Sequence, residues 1–295
     1  MPSLKDIRLR IEATKNTQQI TKAMKLVAAA KLRKAQHQIQ ALRPYAYGLM
    51  DVIQRLAKDE QIKHPFLPRV GTESSDTKPK LLLVVLTSDR GLCGGFNAQI
   101  IKFTDQFLKH NKELYEKIDV IFVGKKAAEF FTRRGVQAKE AFQKLDRDIS
   151  YEYAANMAEK FMQAFMSGDY TEVKFIYNKF KSAISQKVTI EQIIPVQYPE
   201  STNSDDRNVA LADFIFEPAP ELILDQLLKK HFTVQTYRCL CESIAAEHGA
   251  RMTAMENATN NCKELIHKLT LTYNKLRQEK ITTELIEIVS GAEAL

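Results

Sequence analysis

From Ser3 to Arg43 the chain contains neither glycine nor proline, and from Glu221 to Leu295 only Gly249 and Gly291 interrupt. Proline breaks a helix interior and glycine weakens one, so each end has the composition of a single long helix. At about 1.5 Å per residue such helices would span roughly 60–80 Å and roughly 110 Å. Apart from Pro2, the other helix breakers crowd between Pro44 and Pro220. A compact catalytic domain has little use for rods of that length. A shaft is made of them.

Hydrophobic residues make up 44% of the 295, enough for a packed core. No apolar run reaches the roughly eighteen residues that mark a bilayer span. The start, Met1-Pro2-Ser3-Leu4-Lys5-Asp6, becomes charged before any apolar signal region forms, so an untargeted, cytosol-side chain is expected. Cys93, Cys239, Cys241 and Cys262 are too few and too scattered for a disulfide framework. On a helix, Cys239 and Cys241 would point away from each other, and reduced, packed thiols are expected. The net charge of +7 is concentrated in the first segment, where twelve Lys or Arg between Met1 and Lys58 face only Asp6, Glu12 and Asp51. Such a basic rod wants an acidic partner, whether nucleic acid, anionic lipid or protein, unless the charges only solvate a helix face.

A 4-3-4-3 spacing runs through Ile7, Ile11, Thr14, Gln18, Thr21, Lys25, Ala28, Leu32, Ala35, Ile39 and Leu42. These are coiled-coil positions with a polar middle, and Ile20, Met24 and Val27 make a second apolar strip beside them. Pro44 is read as a kink or end, although Val52, Ile53 and Leu56 continue the helical pattern. His64 to Lys80 reads as a linker. The period then changes. Leu81 to Leu86 and Ile118 to Val123 are short apolar runs typical of strands buried on both faces. Val173 to Phe180 and Val188 to Val196 read as further strands, with helices at Lys125 to Arg134 and Tyr151 to Met166. Strands alternating with helices predict a small α/β domain with a largely parallel sheet. Pro199 to Asn208 reads as a second linker or exposed loop. The last segment carries a seam at Cys262, Leu265, Leu269, Thr272 and Leu276, preceded by small residues Ala245, Ala246, Gly249, Ala250, Ala254 and Ala258. Small residues also stand at Ala23, Ala28 and Ala35. The predicted fold is therefore α/β plus a long antiparallel coiled coil: the terminal helices pair, and a small Rossmann-like α/β domain is inserted between them. The expected divisions are residues 1–60 (first coiled-coil helix), 61–80 (linker), 81–212 (α/β domain) and 213–295 (second coiled-coil helix).

The sequence Thr87-Ser88-Asp89-Arg90-Gly91-Leu92-Cys93-Gly94-Gly95-Phe96-Asn97 follows the first strand, where a phosphate-cradling loop would lie. It lacks the Gly-Lys-Ser/Thr ending of a P-loop and the spacing of a dinucleotide fingerprint, and a tight structural turn explains its glycines as well. The histidines and cysteines have no metal-ligand spacing, so no metal or cofactor is expected. Glu284 and Glu287 share a helix face, as exposed charges often do. No nucleophile–base constellation can be drawn, and the chain is not expected to be an enzyme. The tail from Ile281 to Leu295 reads as apolar all round toward its end. Helices of that kind are normally buried and chain ends normally fray, so another protein is expected to enclose it.

Four blocks give the chain a resemblance. Ile281 to Ala292, read as Ile-Thr-x-Glu-x-x-Glu-x-x-x-Gly-Ala, resembles the C-terminal signature of the gamma subunits of F-type ATP synthases. Asn16 to Met24, Thr87 to Gly95, and Tyr273-Asn274-Lys275 with Arg277-Gln278 resemble further blocks of that family, in order along nearly the whole chain. The resemblance implies a rotor. Its terminal helices would stand inside a ring of three alpha and three beta subunits, and its α/β foot would touch the epsilon subunit and the membrane ring of c subunits, driven by proton flow. It implies beta-subunit contacts at Lys22, Met24, Lys25, Arg251, Arg277, Gln278 and Thr282. It implies an apolar bearing at Leu285, Ile288, Val289, Ala292 and Leu295. The turn of Asp89, Arg90, Gly91, Leu92, Cys93, Gly94 and Gly95 would face epsilon and the c-ring. Plant plastid relatives carry an insertion with two regulatory cysteines that has no counterpart here, so a bacterial-type subunit without a thiol switch is implied, peripheral on the cytoplasmic face of the inner membrane. Two other readings of the residues stand beside this one: a basic coiled-coil protein binding nucleic acid, and an α/β enzyme holding a phosphate ligand at Gly91 to Gly95.

Overall fold

Helix α1 runs from Leu4 to Leu56 and helix α5 from Pro220 to Glu293 in the computed structural model, which describes residues 3–56, 64–67, 78–142, 149–197 and 220–293. Ser3 and Asp6 open α1 reciprocally: the Ser3 amide donates to Asp6 Oδ2 (3.1 Å) and the Asp6 amide to Ser3 Oγ (3.2 Å), satisfying donors that a helix start leaves free. Pro44 lies inside α1 and does not end it. The missing amide is outweighed because Ala46, Leu49, Ile53 and Leu56 beyond it are buried in the core.

The chain divides into two compact units, Met1–Ala30 with Arg251–Leu295, and Lys31–Ala250. In the first, the ends of α1 and α5 pair antiparallel. Thr21 Oγ1 lies 2.8 Å from Thr259 Oγ1, and Lys25 Nζ lies 2.6 Å from Glu256 Oε1. On α1 the seam positions Ile7, Ile11, Thr14, Gln18, Thr21, Lys25 and Ala28 are all buried or half-buried, as the spacing predicts, and Leu4, Met24 and Ala29 beside them are half-buried as well. Two members of the polar middle of that seam, Thr21 and Lys25, thus have polar partners across the interface, while Thr14 Oγ1 donates to the Arg10 carbonyl of its own helix. Ile20 and Val27, from the second apolar strip, are exposed. On α5 the seam is Met255, Thr259, Cys262, Ile266, Leu269, Tyr273 and Leu276. The predicted members Leu265 and Thr272 are each one residue out of phase and point to solvent.

The Lys31–Ala250 unit holds a five-stranded sheet of order β3-β2-β1-β4-β5. Its elements are β1 (Lys80–Leu86), α2 (Phe96–His110), β2 (Lys117–Val123), α3 (Lys125–Thr132), β3 (Glu140–Phe142), α4 (Tyr151–Met166), β4 (Glu172–Phe180) and β5 (Gln186–Ile194). Strands β1 to β4 run parallel and β5 runs antiparallel to β4. The sequence reading found neither the three-residue edge strand β3, too short to show a period, nor the limits of α2. Helix α3 ends at Thr132, two residues before the predicted Arg134.

Alternation along the central strand β1 sorts its side chains. Leu82, Val84 and Leu86 face Ala154, Met157, Ala158 and Phe161 of α4, with Leu49 and Ile53 of α1 and Leu224, Leu228 and Phe232 of α5 in the same cluster. Leu81, Leu83 and Val85 share the opposite cluster with Phe96 and Ile100 of α2 and with Ala127 and Phe131 of α3. Helix α5 contributes to both: residues up to Ile244 pack in or against the first cluster, while Ala246 and Ala250 belong with the second. It therefore passes from one face of the sheet to the other along the β5 edge. The small residues here serve that passage. A Cβ on Gly249 would lie 3.3 Å from the Ala183 carbonyl oxygen, in the β4–β5 turn, so the close approach at this glycine is to the sheet edge. Because α5 is embedded on all sides in this stretch, Cys239 and Cys241 are both buried although they point in different directions. Phe66 and Leu67, within the predicted linker, are buried too, and Phe66 packs its ring against Phe165 and Phe232. Most of that linker and all of Pro199 to Asn208 lie outside the described residues.

Candidate functional site

The loop after β1 occupies the point where strand order reverses, between β1 and β4, which in doubly wound folds is the ligand crevice. Here the chain's own side chains fill it. Asp89 Oδ1 accepts from the Lys125 amide (2.9 Å) and Thr87 Oγ1 from the Ala127 amide (3.1 Å). The amides at the start of α3, the helix that follows β2, therefore already bond a carboxylate and a hydroxyl, whereas α2 starts at Gly95 without a side-chain cap. Asn97 Oδ1 accepts from the Ser88 amide (3.0 Å), its Nδ2 donates to Ser88 Oγ (2.7 Å), and Ser88 Oγ donates to the Arg90 carbonyl (2.6 Å). Asn178 Nδ2 donates to the Phe96 carbonyl at 3.3 Å. Cys93 is buried among these groups. The turn itself is left-handed at Leu92 (φ 62°) and Gly94 (φ 58°). A leucine pays steric strain for that conformation, and the result is a side chain 65% exposed at the apex. Asp89 together with Thr87, Ser88 and Asn97 thus builds the loop, and Arg90 and Leu92 are the side chains exposed on it. Burial first, then the negative charges of Asp89 and Glu140, push the Tyr153 phenol above its ordinary pKa.

In the unit made of the chain ends, a groove of about 360 Å³ is lined by Gln18, Gln19, Lys22 and Lys25 of α1 and by Glu256, Thr259 and Asn260 of α5. Lys22 is exposed and Met24 half-buried, while Lys25 is held by Glu256. The α5 residues of this groove were missed in the sequence. Once the antiparallel register is known, residue numbers facing each other sum to about 280, and Lys25 points directly to Glu256; the wrong phase of the α5 seam hid this. The other expected contact residues separate from the groove. Arg277 and Gln278 are exposed on α5, and Thr282 Oγ1 donates to the Gln278 carbonyl (2.9 Å). Arg251 is buried and already engaged within the chain.

At the end of α5, Leu285, Ile286, Ile288 and Val289 are all more than half exposed, with Ile281 close behind. At about 100° per residue, Ile281, Leu285, Ile288 and Val289 fall on one side of the helix and Ile286 on its flank. Thr283, Glu287 and Ser290 lie opposite, so the tip carries a broad apolar stripe and is not apolar all round. Lys280 pairs with Glu284 (3.6 Å) on the polar flank. Such an uncovered patch marks an interaction surface. Ala292 is exposed, and Leu295 lies outside the described residues.

Burial pushes the Cys239 and Cys241 thiols up, to about 12 and about 11, which makes them poor nucleophiles at neutral pH. Among the described residues no group of histidine, cysteine or acidic side chains is placed to hold a metal, and no helix is long and apolar enough to cross a membrane.

A family model described as ATP synthase matches residues 3–295. The ATP synthase gamma chain of Bdellovibrio bacteriovorus is 57% identical over 298 residues, spanning 100% of this chain and 99% of that one. The ATP synthase gamma chain of Geobacter metallireducens is 46% identical over 296 residues, with the same coverage. Among solved structures, a chain of the central stalk and c-ring of Tetrahymena thermophila mitochondrial ATP synthase aligns with a TM-score of 0.58 at 25% identity, covering 81% of this chain and 99% of that chain. A chain of the Euglena gracilis mitochondrial ATP synthase rotor shares the fold, with a TM-score of 0.64 at 21% identity over 94% of this chain and 98% of that chain.

Proposed function

This chain belongs to the ATP synthase family, among its gamma chains, and from that premise we propose that it is the central-stalk rotor of a bacterial F-type ATP synthase. The observation that carries the reading is the apolar stripe at Leu285, Ile286, Ile288 and Val289, left uncovered at the end of a 74-residue helix. A ring of alpha and beta subunits enclosing it as a greasy bearing gives that stripe a partner with few directional bonds, so the tip turns with little to break.

In this reading the chain performs no chemistry. Residues 1–60 and 213–295 supply the shaft helices, 61–80 a connection and 81–212 the foot, with Leu49, Ile53, Phe66, Leu228 and Phe232 packed into the core of the foot's sheet. Ion flow turns a c-ring bound to the foot, the foot turns the shaft, and the shaft presents a different face to each beta subunit in succession. Each nucleotide site then passes through binding, synthesis and release in order, or drives pumping in reverse. Lys22, Met24 and Lys25, beside the polar groove, meet acidic segments of the beta subunits. Arg251, Arg277, Gln278 and Thr282 serve as further beta contacts; Arg277 and Gln278 are free to bond a passing loop, whereas Arg251 would have to exchange an internal partner. Charge-assisted bonds of about 1.5–3 kcal/mol are strong enough to hold a rotary position and weak enough to be exchanged each cycle. Leu285, Ile288, Val289, Ala292 and Leu295 form the bearing. The Asp89–Gly95 turn, led by Leu92, docks epsilon and the c-ring. The complex is membrane-bound through its ion-translocating sector, and this chain is peripheral to it on the cytoplasmic face of the inner membrane. The nucleic-acid reading accounts for the basic α1 but leaves the apolar tip without a partner.

Reconstitution with alpha and beta subunits tests the assignment. One copy of this chain per six large subunits is expected, with ATP turnover dependent on its presence. Assembly with several copies, or turnover indifferent to the chain, would count against it.

A further inference from the structure

Helix α5 changes from one face of the sheet to the other between Ile244 and Ala246, and earlier in the same stretch it carries a half-buried ionic group. The Arg238 guanidinium is tied to its own helix by Gln235, whose Oε1 accepts from Nε (2.7 Å), and by Glu242, whose Oε1 accepts from Nη1 (3.1 Å). Its outward nitrogens reach two strands. Nη1 lies 3.2 Å from the Tyr177 hydroxyl on β4, and Nη2 donates to Glu191 on β5. Tyr177 in turn donates to Glu191 Oε2 (2.7 Å), closing a ring of contacts. Burial works against the charge of Arg238, but Cys239, Tyr177, Glu191 and Glu242 together hold its pKa above the ordinary arginine value.

An ion cluster of this kind is a poor source of net stability, because desolvation consumes most of what attraction returns. What it supplies is direction. The apolar packing that surrounds this stretch of α5 is made of many individually non-directional contacts, and a hydrogen-bonded fork adds a fixed angular reference to it. A planar guanidinium with fixed donor angles, fastened to the helix on one side and to two strands on the other, resists rolling of α5 about its own axis.

Resting on the rotor reading above, we propose that Arg238 is a positioning residue for rotation: through Tyr177 and Glu191 it locks the rotational angle of α5 against the β4–β5 edge, so that twist applied to the sheet passes to the helix without slip. The test uses the assembled complex, with a probe on the foot at Ile184→Cys, an exposed position of the β4–β5 turn. Two quantities are read: angular fluctuation of the probe while the complex waits for ATP, and the denaturant midpoint of the free chain. An apolar replacement of the cluster (E191L/R238M/E242L) should keep the midpoint while angular variance rises at least about twofold, as expected when a rigidifying polar network is removed. Arg238→Lys keeps the charge but not the fork, should fold even if the triple variant does not, and should raise the variance by a smaller factor at an unchanged midpoint. Unchanged variance in a folded variant overturns the proposal. So does a midpoint that falls in step with stiffness in every variant, lysine included, since that is a purely structural role. If the unaltered complex shows no ATP-driven rotation of the probe, it is the rotor reading that fails.

Discussion

Gly124 shows how one backbone position fixes the crevice. Its φ of 108° suits glycine, and a Cβ there would fall 2.0 Å from the Thr87 carbonyl oxygen. Gly124→Ala should therefore cost about 2–4 kcal/mol, through strain and the displaced loop together; urea unfolding of the free chain measures it. His231 carries a pH dependence. Burial, and next Arg238, lower its pKa from 6.5 to about 4 against the pull of Glu191, and its Nδ1 has no hydrogen-bond partner among the described residues. The unfolded chain takes up a proton below about pH 6.5 whereas the folded chain does not until about pH 4. Stability should fall as pH drops through that window, by up to about 3 kcal/mol from this group alone. His231→Leu should remove that part of the slope in a pH series of unfolding curves; an unchanged slope would clear His231 of it. At this scale the sequence was only partly readable. The Thr87–Asn97 block stood out as a loop after a strand, but Asp89 acts on the amide of Lys125, which the fold alone brings near it. No local pattern announces such a cap.

Elements were read best where a period ran long. The 4-3-4-3 spacing of α1 placed its buried face correctly from Ile7 to Leu42, because a period sustained over that length fixes which side of the helix is covered. The α5 seam failed at Leu265 because an apolar residue stands beside the true position Ile266, and at Thr272 because the 3-4 steps were carried on from that wrong phase past Tyr273. That difference is measurable. Ile266→Ala should destabilise the free chain by about 1–2 kcal/mol, as a half-buried seam residue, while Leu265→Ala, 47% exposed, should stay within about 0.5 kcal/mol; the reverse order would mean the pairing is misplaced. Gly249→Val would drive two methyl groups toward the Ala183 carbonyl and the Phe180 ring, and should cost about 1–3 kcal/mol in the same assay. The small residues of α5 were noticed in the sequence, but composition could not say whether a helix or a sheet edge makes the close approach.

For the whole molecule, the fold class was legible because helix breakers are confined to the middle of the chain and apolar periodicity changes there from helical to short strand-like runs. Function was not legible from geometry. Three features, the polar groove at Lys22, the Leu92 apex and the stripe at Leu285 to Val289, stand open among the described residues, and it was the family signature that suggested one use for all three. Truncation after Leu285 should lower ATP-driven turnover of the reconstituted complex without abolishing it, because a bearing shares its load with the contacts below it. The most direct measurement follows a single probe fixed to the foot of this chain in a complex whose beta subunits are anchored to a surface. With ATP supplied, the probe should turn in one direction and dwell once for each beta subunit per revolution. A complex that hydrolyses ATP at full rate while the probe stays still would contradict the account.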